Sequence, residues 1–308
     1  GLVGSEMCIR DSKWGVTLFL GITSLLGACT GEGCETEGPS QPVMQILTSG
    51  IETRAGVETQ FVTGDEIGIY VVNRKAENVP AFIAGLTGNW LDNVKATLES
   101  NGIWNSNFSL TWKDKSTVID AYAYYPWETT PLNAEITAWP VKVLTDQSQA
   151  SAIRKSDFLW AKTNGISYAS DNGRLTLGFK HCFAKLNISI TGSGITNGAQ
   201  VVSMEISGLK TTATFNMNTG EIKEVTGNAQ LMTPYYTADA KNTAEVVFIP
   251  QTVEAGKFLL FTIQDSQGLR SFIYNLTETT VFNAGEEYEL QFEYTSEKGL
   301  KPVLSVKK

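Results

Sequence analysis

An all-β fold follows from three features of the chain. Strand-length apolar runs recur along 308 residues, Gly and Asn turns separate them, and the composition favours Thr, Ser, Asn, Gly and aromatics, with only 18% charged residues. Runs at this spacing describe β-sandwiches, and the length suits two.

The folded part is expected to begin near Pro42, where PVMQILTSGI reads as a short extended segment. A turn at Gly64-Asp65 precedes a strand from Glu66 to Val72. Further strands are expected at Ala96–Leu98, Phe108–Trp112, Val118–Tyr125, Leu175–Phe179 and Ala184–Ile190. The series continues with Val201–Ile206, Thr212–Asn216, Ala244–Ile249, Lys257–Gln264, Leu269–Leu276 and Glu287–Tyr294. TDQSQASAIRKSDFLWAKT is the one helical candidate, and its Ser, Asp and Thr content limits it to a short piece. The polar stretch Asn164–Arg174 suggests a division into sandwiches at 42–172 and 173–308.

Ahead of the folded part, residues 13–28 read as a secretory signal peptide: a lysine, then an apolar run too short to span a bilayer, ending in small residues. Leu26, Gly27, Ala28 and Cys29 resemble a bacterial lipobox, which implies cleavage between Ala28 and Cys29, acylation of Cys29 and a lipid anchor in the outer membrane. The other reading is an ordinary signal peptide with Cys29 paired to Cys34. Residues 29–41, rich in Gly, Glu, Thr, Ser and Pro, form a flexible tether. Its Glu32, Glu35 and Glu37 resemble the signal that exports lipoproteins of some Gram-negative anaerobes to the cell surface; a solvated linker would look the same. Residues 1–12 resemble a translated library adapter and carry no assigned role.

Composition also excludes function classes. A net charge of −8 without a basic cluster argues against nucleic-acid partners. The single histidine, His181, rules out multi-histidine metal sites, and no cofactor or metal is implied. In a strand, His181 and Cys182 point to opposite faces. Asp65, Glu66 and Asp120 would have to serve any hydrolase as paired carboxylates, but turn chemistry explains Gly64-Asp65 better. Non-enzymatic function is the expectation.

Four stretches in this order resemble the fimbrillin-like lipoproteins, the type V pilus subunits of Gram-negative anaerobes: FVTGDEIGIYV (61–71), VIDAYAYYPW (118–127), SDFLWAK (156–162) and LTLGFKHCFAKLNISI (175–190). The resemblance implies two tandem transthyretin-like β-sandwich domains, and a pilus subunit or pilus-associated adhesin. It further implies that a protease cuts after an arginine behind the first strand, and that a neighbouring subunit's strand fills the resulting groove.

Arg54, followed by Ala55, is placed for that cut, although an exposed loop arginine would look alike. In the C-terminal segment Leu300, Pro302, Leu304 and Val306 fall on one face and Lys301, Ser305 and Lys307 on the other, as in a donor strand, and also as in any edge strand. Tyr122, Tyr124, Tyr125 and Trp127 suggest glycan stacking but fit core packing better, while Trp90, Trp104, Trp112 and Trp139 stay unsorted. The expected partners are other fimbrial subunits, the outer membrane through lipid, and a surface glycan or protein. The alternative is a monomeric cell-surface glycan-binding lipoprotein.

Overall fold

The structure is a computed structural model that describes residues 40–52 and 60–307. The adapter-like residues, the expected signal peptide, Ala28, Cys29 and most of the expected tether lie outside the described residues, as do Arg54 and Ala55. Residues 41–308 form one compact unit.

The chain runs through β1 (Gln45–Ile51), β2 (Glu66–Asn73), β3 (Leu91–Leu98), β4 (Trp104–Asn105), β5 (Ile119–Tyr125), β6 (Trp139–Lys142), helix α1 (Ala150–Ser156), β7 (Leu159–Ile166), α2 (Tyr168–Asp171) and β8 (Arg174–His181). It continues with β9 (Ala184–Thr191), α3 (Ser193–Thr196), β10 (Gln200–Asn216), β11 (Glu221–Met232), β12 (Tyr235–Tyr236), β13 (Thr243–Phe248), β14 (Thr252–Val253), β15 (Gly256–Asp265), β16 (Gly268–Leu276), β17 (Thr280–Val281), β18 (Glu287–Thr295) and β19 (Gly299–Lys307). The all-β expectation holds. Among the described residues no helix is long and apolar enough to cross a membrane.

A seven-stranded sheet has the order β1-β8-β7-β5-β2-β3-β4. A second sheet runs β11-β10-β15-β16, with β6 also paired to β10, and a third runs β12-β13-β9-β18-β19. The seven-stranded sheet is apolar on both faces at its centre, so β5 reads as unbroken burial where alternation would mark a one-sided strand. Ile119, Ala121, Ala123 and Tyr125 enter one core with Ile67, Ile69, Val71, Leu175, Leu177 and Phe179. Tyr122, Tyr124, Tyr70 and Trp160 enter a larger core shared with the second and third sheets. The one ionised residue in β5, Asp120, is fully buried and accepts hydrogen bonds from Arg74 (3.0 and 2.7 Å), Ala81 N (2.6 Å) and Gly165 N (2.7 Å). Its paired environment explains why a charge is tolerated there.

Three sequence expectations need correction. The seven-stranded sheet runs past the division expected at 172/173, because β8 supplies Leu175, Leu177 and Phe179 to its core and pairs with both β7 and β1. Phe108–Trp112 is no strand; only Thr111 bridges to Val43, in a loop whose Leu110 and Trp112 are pulled into the core. The helical candidate does hold a short helix, the seven residues of α1, but its Leu159–Lys162 open β7, a strand not expected there, where Leu159 and Trp160 are buried on opposite faces. Consecutive burial on both faces hides the period of two.

A candidate strand-exchange interface

Among the described residues β1 lies at the edge of the seven-stranded sheet and pairs only with β8, in parallel, from Gln45 opposite Arg174 to Ile51 opposite Phe179. A bulge between Thr48 and Gly50 breaks the register, and Gly50 takes a positive φ of 116°, open to glycine at little strain. The strand is deeply seated for an edge. Met44, Ile46 and Ile51 are only 4%, 3% and 8% exposed and pack into the core that holds Leu110, Trp112 and the inward residues of β8. Backbone bonds fasten both ends: Met44 N donates to Leu110 O (2.8 Å), Gln45 N to Gly173 O (2.9 Å) and Glu52 N to Phe179 O (2.7 Å). Each buried apolar side chain contributes roughly 1.5–3 kcal/mol.

On the far side of residues 53–59 the chain is anchored separately. The Phe61 ring meets Trp104, Tyr125 and Phe179 edge-on, with centroids 5.2, 5.6 and 5.0 Å away. Asp65 closes the turn, accepting from Val62 N (2.7 Å), from Tyr125 Oη (3.1 Å) and from Arg154 (2.5 Å). The chain on the two sides of residues 53–59 thus has its own polar contacts, while both sides pack into the core that holds Phe179.

β19 is the opposite kind of edge. Among the described residues it pairs antiparallel with β18 alone, Leu300 facing Tyr294, Pro302 facing Phe292 and Leu304 facing Gln291, with two register breaks. Leu300, Leu304 and Val306 are half-buried, whereas Pro302 is exposed and Val303 is 63% exposed. The expected single apolar face of Leu300, Pro302, Leu304 and Val306 is therefore interrupted at Pro302, where the bulge turns the chain. At the turn end of this hairpin, Tyr294 Oη donates to Asp265 Oδ2 (2.6 Å), and Arg270 reaches both Asp265 (3.1 Å) and the Tyr294 hydroxyl. These bonds hold the Asp265 carboxyl below the usual carboxylate range, the Tyr294 hydroxyl being the largest cause.

The other candidate residues fall into structural places. Tyr122 and Tyr124 are fully buried, as core packing predicts, and burial pushes both phenols up. Trp104, Trp112 and Trp139 are buried, and Trp90 donates from Nε1 to Thr111 O (2.7 Å). Glu66 pairs with Lys95 (2.8 Å), so Asp65, Glu66 and Asp120 each have their own cation. His181 Nδ1 lies 2.9 Å from Asp157, and Cys182 is buried. Among the described residues no three His, Cys, Asp or Glu side chains gather as a metal site would require.

No match was found among curated proteins. Solved structures do match. One is a Bacteroides uniformis protein provisionally named a cell adhesion protein, 21% identical, with a TM-score of 0.64 over 87% of this chain and 97% of that one. Another, from Bacteroides ovatus and named likewise, is 17% identical with a TM-score of 0.64 over 87% and 97%. A fimbrial protein of Bacteroides vulgatus is 13% identical with a TM-score of 0.52 over 86% and 98%. These likenesses show the fold. The sequence profile of the fimbrillin-like family matches residues 53–308, nearly the whole described body. The chain belongs to the fimbrillin-like family.

Proposed function

We propose that the protein is a cell-surface fimbrial subunit or fimbria-associated adhesin that works by exchanging strands and not by catalysis. In this reading Cys29 anchors a lipidated precursor in the outer membrane, and a protease cuts between Arg54 and Ala55. Loss of β1 then opens the β8 edge. A strand from a neighbouring subunit fills the groove, supplied by the segment containing Leu300, Pro302, Leu304 and Val306. The observation that carries the reading is the seating of β1, an edge strand whose Ile46 and Ile51, with Met44 just before it, pack into the core and whose only strand partner among the described residues is β8. Without it, the pockets and the backbone groups of β8 are left bare, and each buried unsatisfied group costs about 1–3 kcal/mol. A replacement strand would bind firmly.

The test is limited digestion of the leaderless protein, from Thr30, with an arginine-specific protease, followed by intact mass and size-exclusion chromatography. A single cut at Arg54, followed by SDS-resistant ladders that disappear when residues 299–308 are deleted, is the expected result. Cleavage elsewhere, or a nicked protein that stays monomeric after β1 has been removed, overturns it.

A further inference from the structure

A second feature lies away from β1, β8 and β19. A cleft of about 370 Å³ opens between the turn before β2, the segment after β5, β6 and the end of α1, within the range of about 300–1,000 Å³ usual for small-ligand sites. Tyr124, Trp139 and Phe158 form its buried floor, and half-buried Trp127 forms one wall. Glu66, Glu128, Lys142 and Lys155 stand around it; among the described residues, only Glu66 of these four has an ion-pair partner, Lys95.

The wall is held with unusual care. Asn93 adopts a left-handed conformation (φ 45°) beside a break in the β2–β3 register, a strained state for a residue with a side chain. That conformation lets one residue bind the whole segment after β5. Its Nδ2 donates to Glu128 O (3.1 Å) and Thr130 Oγ1 (3.0 Å), its Oδ1 accepts from Tyr124 Oη (2.8 Å), and its backbone O accepts from Trp127 Nε1 (3.3 Å). Gly68 makes room for it, since a methyl group there would collide with the Tyr124 ring and come within 2.8 Å of Asn93 Oδ1. Lys95 Nζ covers one region of the Trp127 ring at 4.9 Å while pairing with Glu66. Strain and close packing are concentrated where they fix the position of Trp127.

We propose that this cleft is a carbohydrate-binding site, taking a pyranose ring against Trp127 while Glu128, Lys142 and Lys155 bond its hydroxyls. The rim chemistry selects the class. Four charged groups exclude a purely apolar ligand, and Glu66 and Glu128 with a net charge of −8 disfavour a polyphosphate. A polyhydroxylated ring suits carboxylates that accept and ammonium groups that donate, and charge-assisted bonds of this kind are the stronger ones. The site is independent of strand exchange, because none of its lining residues lies on β1, β8 or β19.

The test is saturation-transfer NMR and calorimetry on the uncut full chain, with a panel of neutral, amino and uronic mono- and oligosaccharides. We expect ring-proton saturation for at least one sugar. Trp127→Ala should weaken binding at least tenfold, and Glu128→Gln and Lys142→Ala severalfold each, with circular dichroism unchanged for the two exposed-residue variants. Should Trp127→Ala fail to fold, the Glu128 and Lys142 variants decide. No saturation from any panel member, or binding that both exposed-residue variants leave intact, overturns the proposal.

Discussion

β1 and β19 are both terminal strands at sheet edges, but they are held by opposite means. β1 is short, parallel to β8 and sunk into the core through side chains less than a tenth exposed. β19 is longer, antiparallel to β18, twice out of register, and carries Pro302 and Val303 into solvent. Under strand exchange the difference is functional. In the proposed exchange, the strand to be lost would be held by its buried side chains until a covalent cut released it, whereas the strand to be given away would sit where local opening costs less.

The largest expected effect is at Ile46. Ile46→Ala should cost about 2–5 kcal/mol in urea unfolding, as buried Ile truncations do. A cost under about 1 kcal/mol would break the comparison, because β1 would then be no better seated than β19.

A second test uses pH. Burial holds the Tyr70 phenol up to about 12 and pushes Tyr122, Tyr124 and Tyr125 up as well. The fold favours their protonated forms, so their contribution is fully present below the ordinary tyrosine value near 10 and is lost as pH rises from there towards 12 and beyond. All four belong to β2 and β5, the packed centre next to β1's core. Absorbance titration should show them ionising only together with global unfolding. Ionisation near pH 10 in folded protein would mean that this centre is open.

Smaller effects should come from β19. Leu304→Ala, at a half-buried site, should change stability by about 1 kcal/mol or less. Amide exchange should run at least tenfold faster in β19 than in β8; equal protection would remove the case for β19 as the mobile strand. Asp265→Asn, which weakens the turn end of the β18–β19 hairpin, should speed β19 exchange further without affecting β8.

Much of this organisation was legible in the sequence, for physical reasons that vary by element. β8, β9 and β18 alternate apolar and polar residues because one face meets a core, and their periods were readable. β5 was found through its aromatic and β-branched content, although burial on both faces erased its alternation. β7 was masked by the helix-like composition upstream, and β11, mostly exposed and with Ile222 and Val225 three residues apart, showed no alternation of period two. The core roles of Tyr122 and Tyr124 followed from their spacing, but Trp127's place in a cleft did not, because it depends on Asn93 and on β6, distant in sequence. The pairing partner of β1 was equally hidden: β8 lies more than a hundred residues away.

The parallel register of β1 on β8 has a geometric consequence. Any strand that reproduces those hydrogen bonds must run in the same direction as β8, so an incoming segment would have a defined head and tail. Each joint would then use two different surfaces, one giving and one receiving, and such contacts do not close into symmetric pairs. Chains joined in this way would build an open, polar fibre whose two ends differ, with one end always displaying an unfilled groove and the other an unspent strand.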